Sequence, residues 1–336
     1  MSEDEIPREW RRWAAVALMK GAPMVEVMSV LRTQGFPDEA AVRYCAFLFD
    51  NPAFEGGRIV AEQLAKLSSV LNVIQKMRGL STLPVTVKRR SGVSQQEFLD
   101  VYYAQNTPVL LTDVCDRWPA LSLWNPDYLV DRLSGVEVEV MAGRDSDPRY
   151  EVNSNDHKFK MPFDEYVAKI QAAPRSNDLY LVANNHLLAN PGALSLWDDF
   201  EIDKRYLVDD PTHSQAFLWF GPAGTVTPLH HDPVNVMFNQ VSGRKHVILI
   251  PSLQIHRLYN SLSVYSDVDP LAPDLDQYPL YAEAQKIHFD MDPGETLFIP
   301  AGWWHHIEAL DPSLSVSFTN FAFDNGIDWV HPTVSV

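Results

Sequence analysis

Three side chains from two distant stretches of the sequence have the types and spacing to bind one metal ion. His230 and Asp232 are two residues apart, and in a β-strand such residues point to the same face. A third ligand can come from His305 or His306, and strand alternation alone does not decide between them. Two imidazoles and one carboxylate form a facial triad, which is typical of Fe(II) sites with positions open for a cosubstrate and O2. A zinc site more often has four protein ligands, and the sequence offers no evident fourth.

A lysine further along the chain distinguishes this pair from a chance His-x-Asp. Lys245 lies fifteen residues after His230 and two residues after a turn-forming pair at 242–243. A tight turn there predicts that the chain returns antiparallel and brings Lys245 towards the metal-bearing strand. A buried lysine is costly unless it meets an anion, and the distal carboxylate of 2-oxoglutarate is such an anion. The second His-x-Asp, at His288 and Asp290, is not followed by a lysine in the sequence. We interpret it as part of a solvated strand.

The composition excludes several other classes of protein. The chain has 27 basic and 44 acidic residues, a net charge of −17, which repels phosphate backbones and predicts that no nucleic acid is a partner. The hydrophobic share of 46% indicates a folded protein. The two cysteines, Cys45 and Cys115, are isolated, so they predict no disulfide framework and fit a reducing cytosol.

The sequence shows no sign of membrane targeting. Residues 1–5 are acidic where a signal peptide would be basic and then apolar. No apolar stretch approaches the length needed to span a bilayer. We therefore predict a cytoplasmic protein with no membrane partner.

Residues 1–80 are predicted to form an N-terminal helical domain. Apolar residues recur at helical spacing in four segments, which end near Gly21, Gly35, Asp50 and Gly79. The last segment carries a seam with alternating steps of four and three, formed by Val60, Leu64, Leu67, Leu71 and Ile74. Such a seam either packs within the helical bundle or forms a dimer interface. Both alternatives stay open, as does a role for these helices in dimerisation or substrate capture.

Residues 81–336 are predicted to form a second domain rich in β-strands. A linker over about 78–94 separates the two regions, and short β-rich runs follow it, divided by Pro, Gly, Asp and Asn. These runs are at 109–111, 136–141, 179–182, 217–220, 246–250, 296–299 and 314–318. Many short strands with long irregular connections are typical of a sandwich or barrel of the jelly-roll kind.

Several blocks of sequence resemble the JmjC/cupin-like hydroxylases. This group includes the asparaginyl hydroxylase of hypoxia-inducible factor and the JmjC-only arginyl and lysyl hydroxylases. The similar blocks are at 98–103, 108–111, 118–121, 219–222, 224–232, 240–245, 293–300 and 304–306. The resemblance covers about residues 82–323. It implies a mainly β fold, a double-stranded β-helix (jelly-roll) of the JmjC/cupin type, which follows the N-terminal helical bundle in the sequence.

The resemblance also assigns roles to individual residues. His230, Asp232 and His305 match the iron ligands of the family, and the family pattern thereby selects His305 over His306. Lys245 matches the lysine that pairs with the C5 carboxylate of 2-oxoglutarate. Two hydroxyl-bearing residues, Thr227 and Tyr180, match the residues that complete the same carboxylate site.

One position departs from the family pattern. Relatives commonly have an asparagine six residues after the first iron ligand, near the cosubstrate, whereas this chain has Val236 there and Asn235 just before it. Asn235 is the candidate for this cofactor-binding role. Because it has the opposite strand parity, it can take that role only if a β-bulge intervenes.

The resemblance implies a 2-oxoglutarate-dependent dioxygenase that uses Fe(II), 2-oxoglutarate and O2. Its expected substrate is an amino-acid side chain of a protein or peptide, which is hydroxylated. The alternatives are a hydroxylase of small molecules or free amino acids, and a non-catalytic JmjC barrel that binds a partner. Tyr150, Asn239 and Trp303 are candidates for the edge of the pocket, and each can equally be a core residue.

Overall fold

The structure is a computed structural model and describes residues 6–81, 86–183, 185–326 and 329–333. The acidic residues 1–5 and part of the predicted linker, 82–85, lie outside the described residues. Contacts between Cα atoms divide the chain into two compact units, Met1–Thr82 and Leu83–Val336. None of the described helices is long and apolar enough to cross a membrane.

The first unit is a bundle of four α-helices. They are α1 (Arg8–Met19), α2 (Met24–Thr33), α3 (Asp38–Phe49) and α4 (Pro52–Arg78). Asn51 begins α4, because its side-chain oxygen accepts a hydrogen bond from the backbone N–H of Ala53 at 2.8 Å. The core of this unit is formed by apolar side chains that include Ala14, Leu18, Val27, Leu31, Ala41, Cys45, Leu48 and Phe54. The predicted helical N-terminal region is confirmed.

The long helix α4 contributes little to that core. All its residues are described, and Phe54, in the first turn, is the single buried one. Of the predicted seam, Val60, Leu64 and Leu67 are more than half exposed. The interpretation that the whole seam packs within the bundle is therefore wrong, since the bundle covers α4 mainly at its beginning.

In the second unit, the described residues form twelve strands in three sheets. The strands are β1 (Lys88–Arg90), β2 (Val109–Leu111), β3 (Glu137–Met141), β4 (Lys158–Pro162), β5 (Ala216–Gly221), β6 (Val226–His231), β7 (Val236–Ser242), β8 (Lys245–Ile250), β9 (Ile287–Met291), β10 (Thr296–Ile299), β11 (Trp304–Ala309) and β12 (Ser313–Phe318). The largest sheet has the order β1-β2-β10-β7-β12-β5, and a four-stranded sheet has the order β6-β11-β8-β9. Strands β3 and β4 form a separate pair.

The two larger sheets pack face to face around an apolar layer. Phe238 and Leu297 from the six-stranded sheet share one buried cluster with Val247, Leu249 and Ile307 from the four-stranded sheet. Neighbouring strands in both sheets run antiparallel, except for the edge pair β1 and β2. This arrangement confirms the predicted jelly-roll.

Short helices surround the barrel. The α-helices are α5 (Gln95–Glu97), α6 (Ala120–Leu123), α7 (Pro126–Arg132), α8 (Ser154–His157) and α9 (Phe163–Ala172), and a π-helical turn, Phe98–Tyr103, continues α5. Further 3-10 helices lie at Arg144–Ser146, Leu187–Ala189, Pro191–Asp199, Ser252–Arg257 and Pro279–Glu283. Side chains such as Phe98 and Tyr166 join Leu218 and Phe318 of the large sheet in a second, larger core.

The predicted hairpin at 242–243 does not form. Strand β7 pairs with β10 and β12, whereas β8 pairs with β11 and β9, so the turn carries the chain from one sheet to the other. Gly243 allows this crossing because its φ is +69° and a Cβ atom there would meet the carbonyl oxygen of Pro312. The turn exists where it was predicted, but its two strands are not partners.

Candidate metal centre

The predicted metal ligands come together on two adjacent strands of the four-stranded sheet. In the antiparallel pairing of β6 with β11, His305 lies directly opposite His230. Asp232 follows β6 by one residue, and the ligand atoms of the three side chains all lie within 4.8 Å of one another. The neighbour His306 is buried and does not belong to this group, so the structure brings His305 to the site.

Backbone contacts orient both imidazoles towards Asp232. The Nδ1 atom of His230 lies 2.8 Å from the carbonyl oxygen of Pro228, and that of His305 lies 3.0 Å from the carbonyl oxygen of Trp303. A carbonyl can only accept, so each Nδ1 carries the proton and each Nε2 keeps a free lone pair. The two Nε2 atoms lie 3.9 and 3.5 Å from the carboxylate oxygens of Asp232.

The electrostatics of the three side chains fit a bound cation. Burial raises the pKa of Asp232, although the nearby His230 and His231 partly oppose this effect. Burial also lowers the pKa of His305 well below its usual range, so this imidazole is neutral and able to ligate. A divalent metal between the Nε2 atoms and the half-buried carboxylate would neutralise its negative charge. Two neutral imidazoles and one carboxylate are a donor set that suits Fe(II).

Lys245 lies in the same cavity as the metal ligands, at the start of β8. It is fully buried, and its Nζ atom lies 3.3 Å from the hydroxyl of Tyr180. Aromatic rings surround the ammonium group, the nearest being Phe238 with its centroid 4.9 Å away. Burial lowers the pKa of Lys245 to about 7. Because no ion pair of Lys245 occurs among the described residues, an anionic ligand would supply the missing countercharge.

The two predicted hydroxyl residues lie beside this lysine. Tyr180 and Thr227 line the cavity with Lys245. The predicted strand at 179–182 is reduced to two isolated bridges, in which Tyr180 pairs with Met141 of β3 and Leu181 with Phe220 of β5. The ring of Tyr180 packs so closely on Gly221 that a Cβ there would lie 2.6 Å from its Cδ2 atom.

Asn235 does not reach the cavity, and its predicted cofactor-binding role is wrong. Its side-chain oxygen accepts from the backbone N–H of Ala301 at 2.9 Å, and its amide donates to Asn325 at 2.8 Å. The pairing of β7 with β10 is regular at this end, so no bulge reverses the strand parity. The side chain that faces the cavity is that of Val236.

The three candidates for the pocket edge are structural residues as well. Asn239 donates to the carbonyl oxygen of Val316, the indole of Trp303 donates to Asn106, and the hydroxyl of Tyr150 donates to Val226. None of the three is among the residues that line the metal-site cavity. Each satisfies its polar group inside the fold. Core packing is therefore the alternative that fits Asn239 and Trp303, whereas Tyr150 lines a second cavity next to the metal site.

The cavity has a volume of about 430 Å³ and includes two side chains that the sequence did not indicate, Glu151 and Tyr265. The ring of Tyr265 stacks on that of His230, with centroids 5.6 Å apart, and its backbone bridges to His230. Both residues belong to irregular segments, which carry no periodic pattern that could have revealed them.

Glu151 is held in place by a buried arginine that sequence analysis also missed. The guanidinium of Arg144 lies 3.0 Å from the Glu151 carboxylate and donates to the carbonyl oxygen of Val226 at 2.6 Å. It also lies over the rings of Tyr150 and Tyr180, at 4.2 and 5.2 Å from their centroids. Arg144 therefore connects the cavity carboxylate to the residues around Lys245.

Comparison with known proteins agrees with this geometry. The profile of a family described as "Cupin-like domain" matches residues 94–325, which is more than two thirds of the chain. The chain therefore belongs to the cupin-like family of JmjC-type barrel proteins. The resemblance found in the sequence blocks is thereby confirmed.

Individual relatives support the same family. The chain is 33% identical over 284 residues to "Lysine-specific demethylase JMJ30" of Arabidopsis thaliana, covering 79% of this chain and 63% of that protein. It is 32% identical over 234 residues to "Lysine-specific demethylase 8" of Xenopus tropicalis, covering 67% and 50%. It is 28% identical over 236 residues to "tRNA wybutosine-synthesizing protein 5" of Gallus gallus, covering 66% and 73%. The chain thus spans between half and two thirds of the first two relatives.

Proposed function

We propose that this protein is an Fe(II)- and 2-oxoglutarate-dependent oxygenase that hydroxylates an amino-acid side chain of a protein or peptide. The observation that carries the proposal is the presence, in one cavity, of His230, Asp232 and His305 together with the buried Lys245. The triad fits a metal with open coordination positions, and the lysine fits a dicarboxylate that reaches the same metal.

The residues of the chain bind and orient the reactants. His230, Asp232 and His305 would hold Fe(II), while Lys245 and Tyr180 would bind the distal carboxylate of 2-oxoglutarate. Apolar side chains such as Phe238 exclude water from that carboxylate, which strengthens its pairing with the ammonium group. When bound, the metal and its cosubstrate supply the chemistry that transfers one atom of O2 to the substrate and converts 2-oxoglutarate to succinate and CO2.

The space next to the metal favours a polypeptide over a free amino acid. A second cavity of about 380 Å³ shares Glu151 and Tyr265 with the metal-site cavity. A substrate side chain at the metal would therefore have room for the flanking residues of its chain outside. Separately, the net charge of −17 disfavours a nucleic acid as the substrate.

The names of the relatives favour a second candidate reaction. Two of them are called lysine-specific demethylases, and oxidation of an N-methyl group uses the same metal and cosubstrate. The two reactions differ in the product, because hydroxylation adds one oxygen atom and demethylation removes a methyl group.

The test is an incubation of the protein with Fe(II), 2-oxoglutarate, O2 and a lysate of the source cells. Succinate is measured, and peptides and metabolites are searched by mass spectrometry for a gain of one oxygen. The proposal predicts such a gain on a peptide side chain, absent with His230→Ala. The matched control is His288→Ala, which alters the exposed His-x-Asp and is expected to leave turnover unchanged.

Each other result identifies an alternative. Loss of a methyl group from lysine favours the demethylase, and an oxygen gain on a metabolite favours a small-molecule hydroxylase. Absence of succinate under all conditions, with intact metal binding, would indicate a non-catalytic barrel that binds a partner.

A further inference from the structure

The exposed face of α4 is apolar along most of the helix. Val60, Leu67, Val70, Ile74 and Met77, with Gln63 between the first two, follow one another at steps of three and four. We call these six residues the α4 seam. Val60, Leu67, Val70 and Met77 are 56%, 61%, 49% and 65% exposed. Ile74 is half-buried. The seam differs from the one expected from the sequence, because Val70 and Met77 face solvent and Leu71 lies towards the bundle side, where it is also half-buried.

We propose that the α4 seam binds the α4 seam of a second copy of this chain and makes the protein a homodimer. A heptad seam is complementary to itself, because side chains at one level interdigitate with those of the same pattern on a partner helix. A two-fold axis then pairs the same surface of both copies and closes the assembly. From Val60 to Met77 the seam is about 27 Å long at ~1.5 Å per residue, which is about two and a half heptads.

The distribution of charge on α4 favours a second copy over a charged partner. Although the whole chain is acidic, none of the six residues of the seam is charged. The charged residues of the helix occupy other positions: Glu55, Arg58, Glu62, Lys66, Lys76 and Arg78. A second copy therefore brings no like charges into the seam, whereas a strongly basic or acidic partner would find no countercharge there.

The area that the pairing removes from water suits a dimer. Four further apolar side chains flank the seam and are at least half exposed, namely Ile59, Leu64, Val73 and Leu80. Covering the exposed parts of the seam and its flanks in both copies buries on the order of 1,000 Å² of apolar surface. This value reaches the size of about 1,000 Å² that separates specific interfaces from chance contacts.

The experiment measures the mass of the full chain in solution over a wide range of concentration, by sedimentation or by light scattering. The wild-type chain is expected to have twice the 38.1 kDa of one copy. The double variant Leu67→Glu with Val70→Glu places two charges in the seam and is expected to halve the measured mass. The control, Ala65→Glu with Ser69→Glu, places the same charges at exposed positions on another face of α4 and is expected to remain a dimer.

Two results would overturn the proposal: a wild-type chain of single mass at every concentration, or a seam variant that stays dimeric. Because the substituted side chains are exposed within one copy, the variant is expected to keep its barrel and its 2-oxoglutarate turnover. If it loses helical circular dichroism, the uncharged pair Leu67→Gln with Val70→Gln repeats the test. Backbone hydrogen exchange over 60–77 is an independent readout, slow in the dimer and fast in the seam variant.

Discussion

At the scale of single residues, the proposed binding of 2-oxoglutarate depends on Lys245, a lysine that is fully buried. Lys245 is surrounded by aromatic rings and a tyrosine hydroxyl, so its charge is poorly solvated in the free protein. An anion that binds there gains a strong, charge-assisted hydrogen bond. Two predictions follow from this burial, one for affinity and one for pH.

Replacing Lys245 with alanine is expected to weaken 2-oxoglutarate binding. Loss of a hydrogen bond between charged groups costs about 1.5–3 kcal/mol, which corresponds to a KM for 2-oxoglutarate about 10- to 100-fold higher. Succinate formation at varied cosubstrate concentration measures the effect. Lys286→Ala is the control, since Lys286 is only partly buried and lies outside the metal-site cavity. An unchanged KM in Lys245→Ala would remove the anchoring role.

The affinity for 2-oxoglutarate is expected to fall above about pH 7. Burial lowers the pKa of Lys245 to about 7 in the free protein, and a bound carboxylate raises it again. Below that pKa the lysine is already protonated, whereas above it binding requires uptake of a proton, so the dissociation constant rises about tenfold per pH unit. Calorimetry in buffers of different ionisation enthalpy detects this uptake. A pH-independent dissociation constant between pH 7 and 9 would contradict the expectation.

The ion pair of Arg144 with Glu151 is expected to contribute to stability. Arg144 is fully buried, so Arg144→Leu would leave the Glu151 carboxylate without its cation, at a cost of about 3 kcal/mol in the free energy of unfolding. Urea unfolding measures this loss. Arg244→Leu breaks the exposed pair with Asp311 and is expected to leave unfolding nearly unchanged. Equal effects of the two variants would show that burial is not the cause.

Sequence alone predicted the residues whose position follows from strand parity. His230 and Asp232 share a face because they are two apart in β6 and the turn that follows it, and the same rule turns His231 away from the cavity. The rule also explains the error at Asn235, which has the parity opposite to that of Val236. Glu151 and Tyr265 lie in irregular segments and Arg144 begins a short 3-10 helix. None of the three was predictable, since long-range packing brings them to the site.

At the scale of elements, the positions of helices and strands could be predicted better than their partners. The turn at 242–243 was found from its residue types, but a local signal cannot tell whether a chain returns to the same sheet or crosses to the facing one. In the same way, periodicity showed that one face of α4 is apolar without showing what covers it. Which strands and helices pack against one another is determined by the packing of the whole unit.

Substitution of Gly243 tests how strongly the turn between β7 and β8 requires a glycine. A Cβ atom there would meet backbone atoms of Pro312 and Ser313, and φ is +69°, so Gly243→Ala is expected to destabilise the barrel by at least about 2 kcal/mol. Gly92→Ala is the control, because Gly92 has φ +66° but nothing within 4 Å, and about 1 kcal/mol is expected for backbone strain alone. Urea unfolding compares them. Equal losses of unfolding free energy in the two variants would show that the positive φ alone, and not the contact with Pro312 and Ser313, causes the effect.

At the scale of the whole molecule, the chain combines a JmjC-type barrel with a separate helical unit. Every residue proposed for the chemistry belongs to Leu83–Val336, whereas the α4 seam belongs to Met1–Thr82. The chemistry and the proposed dimerisation can therefore be tested independently. The cytoplasmic location expected from the two isolated cysteines, which are free and buried, stays a prediction.

The central claim is that His230, Asp232 and His305 hold one ferrous ion to which 2-oxoglutarate binds directly. Its most direct test is an anaerobic titration with Fe(II) and then with 2-oxoglutarate, followed by visible absorption. One metal per chain is expected, with a charge-transfer band when 2-oxoglutarate is added. Both are expected to be lost in Asp232→Ala and retained in the control Asp290→Ala. Stoichiometric Fe(II) binding without that band, or a band that survives Asp232→Ala, would contradict the claim.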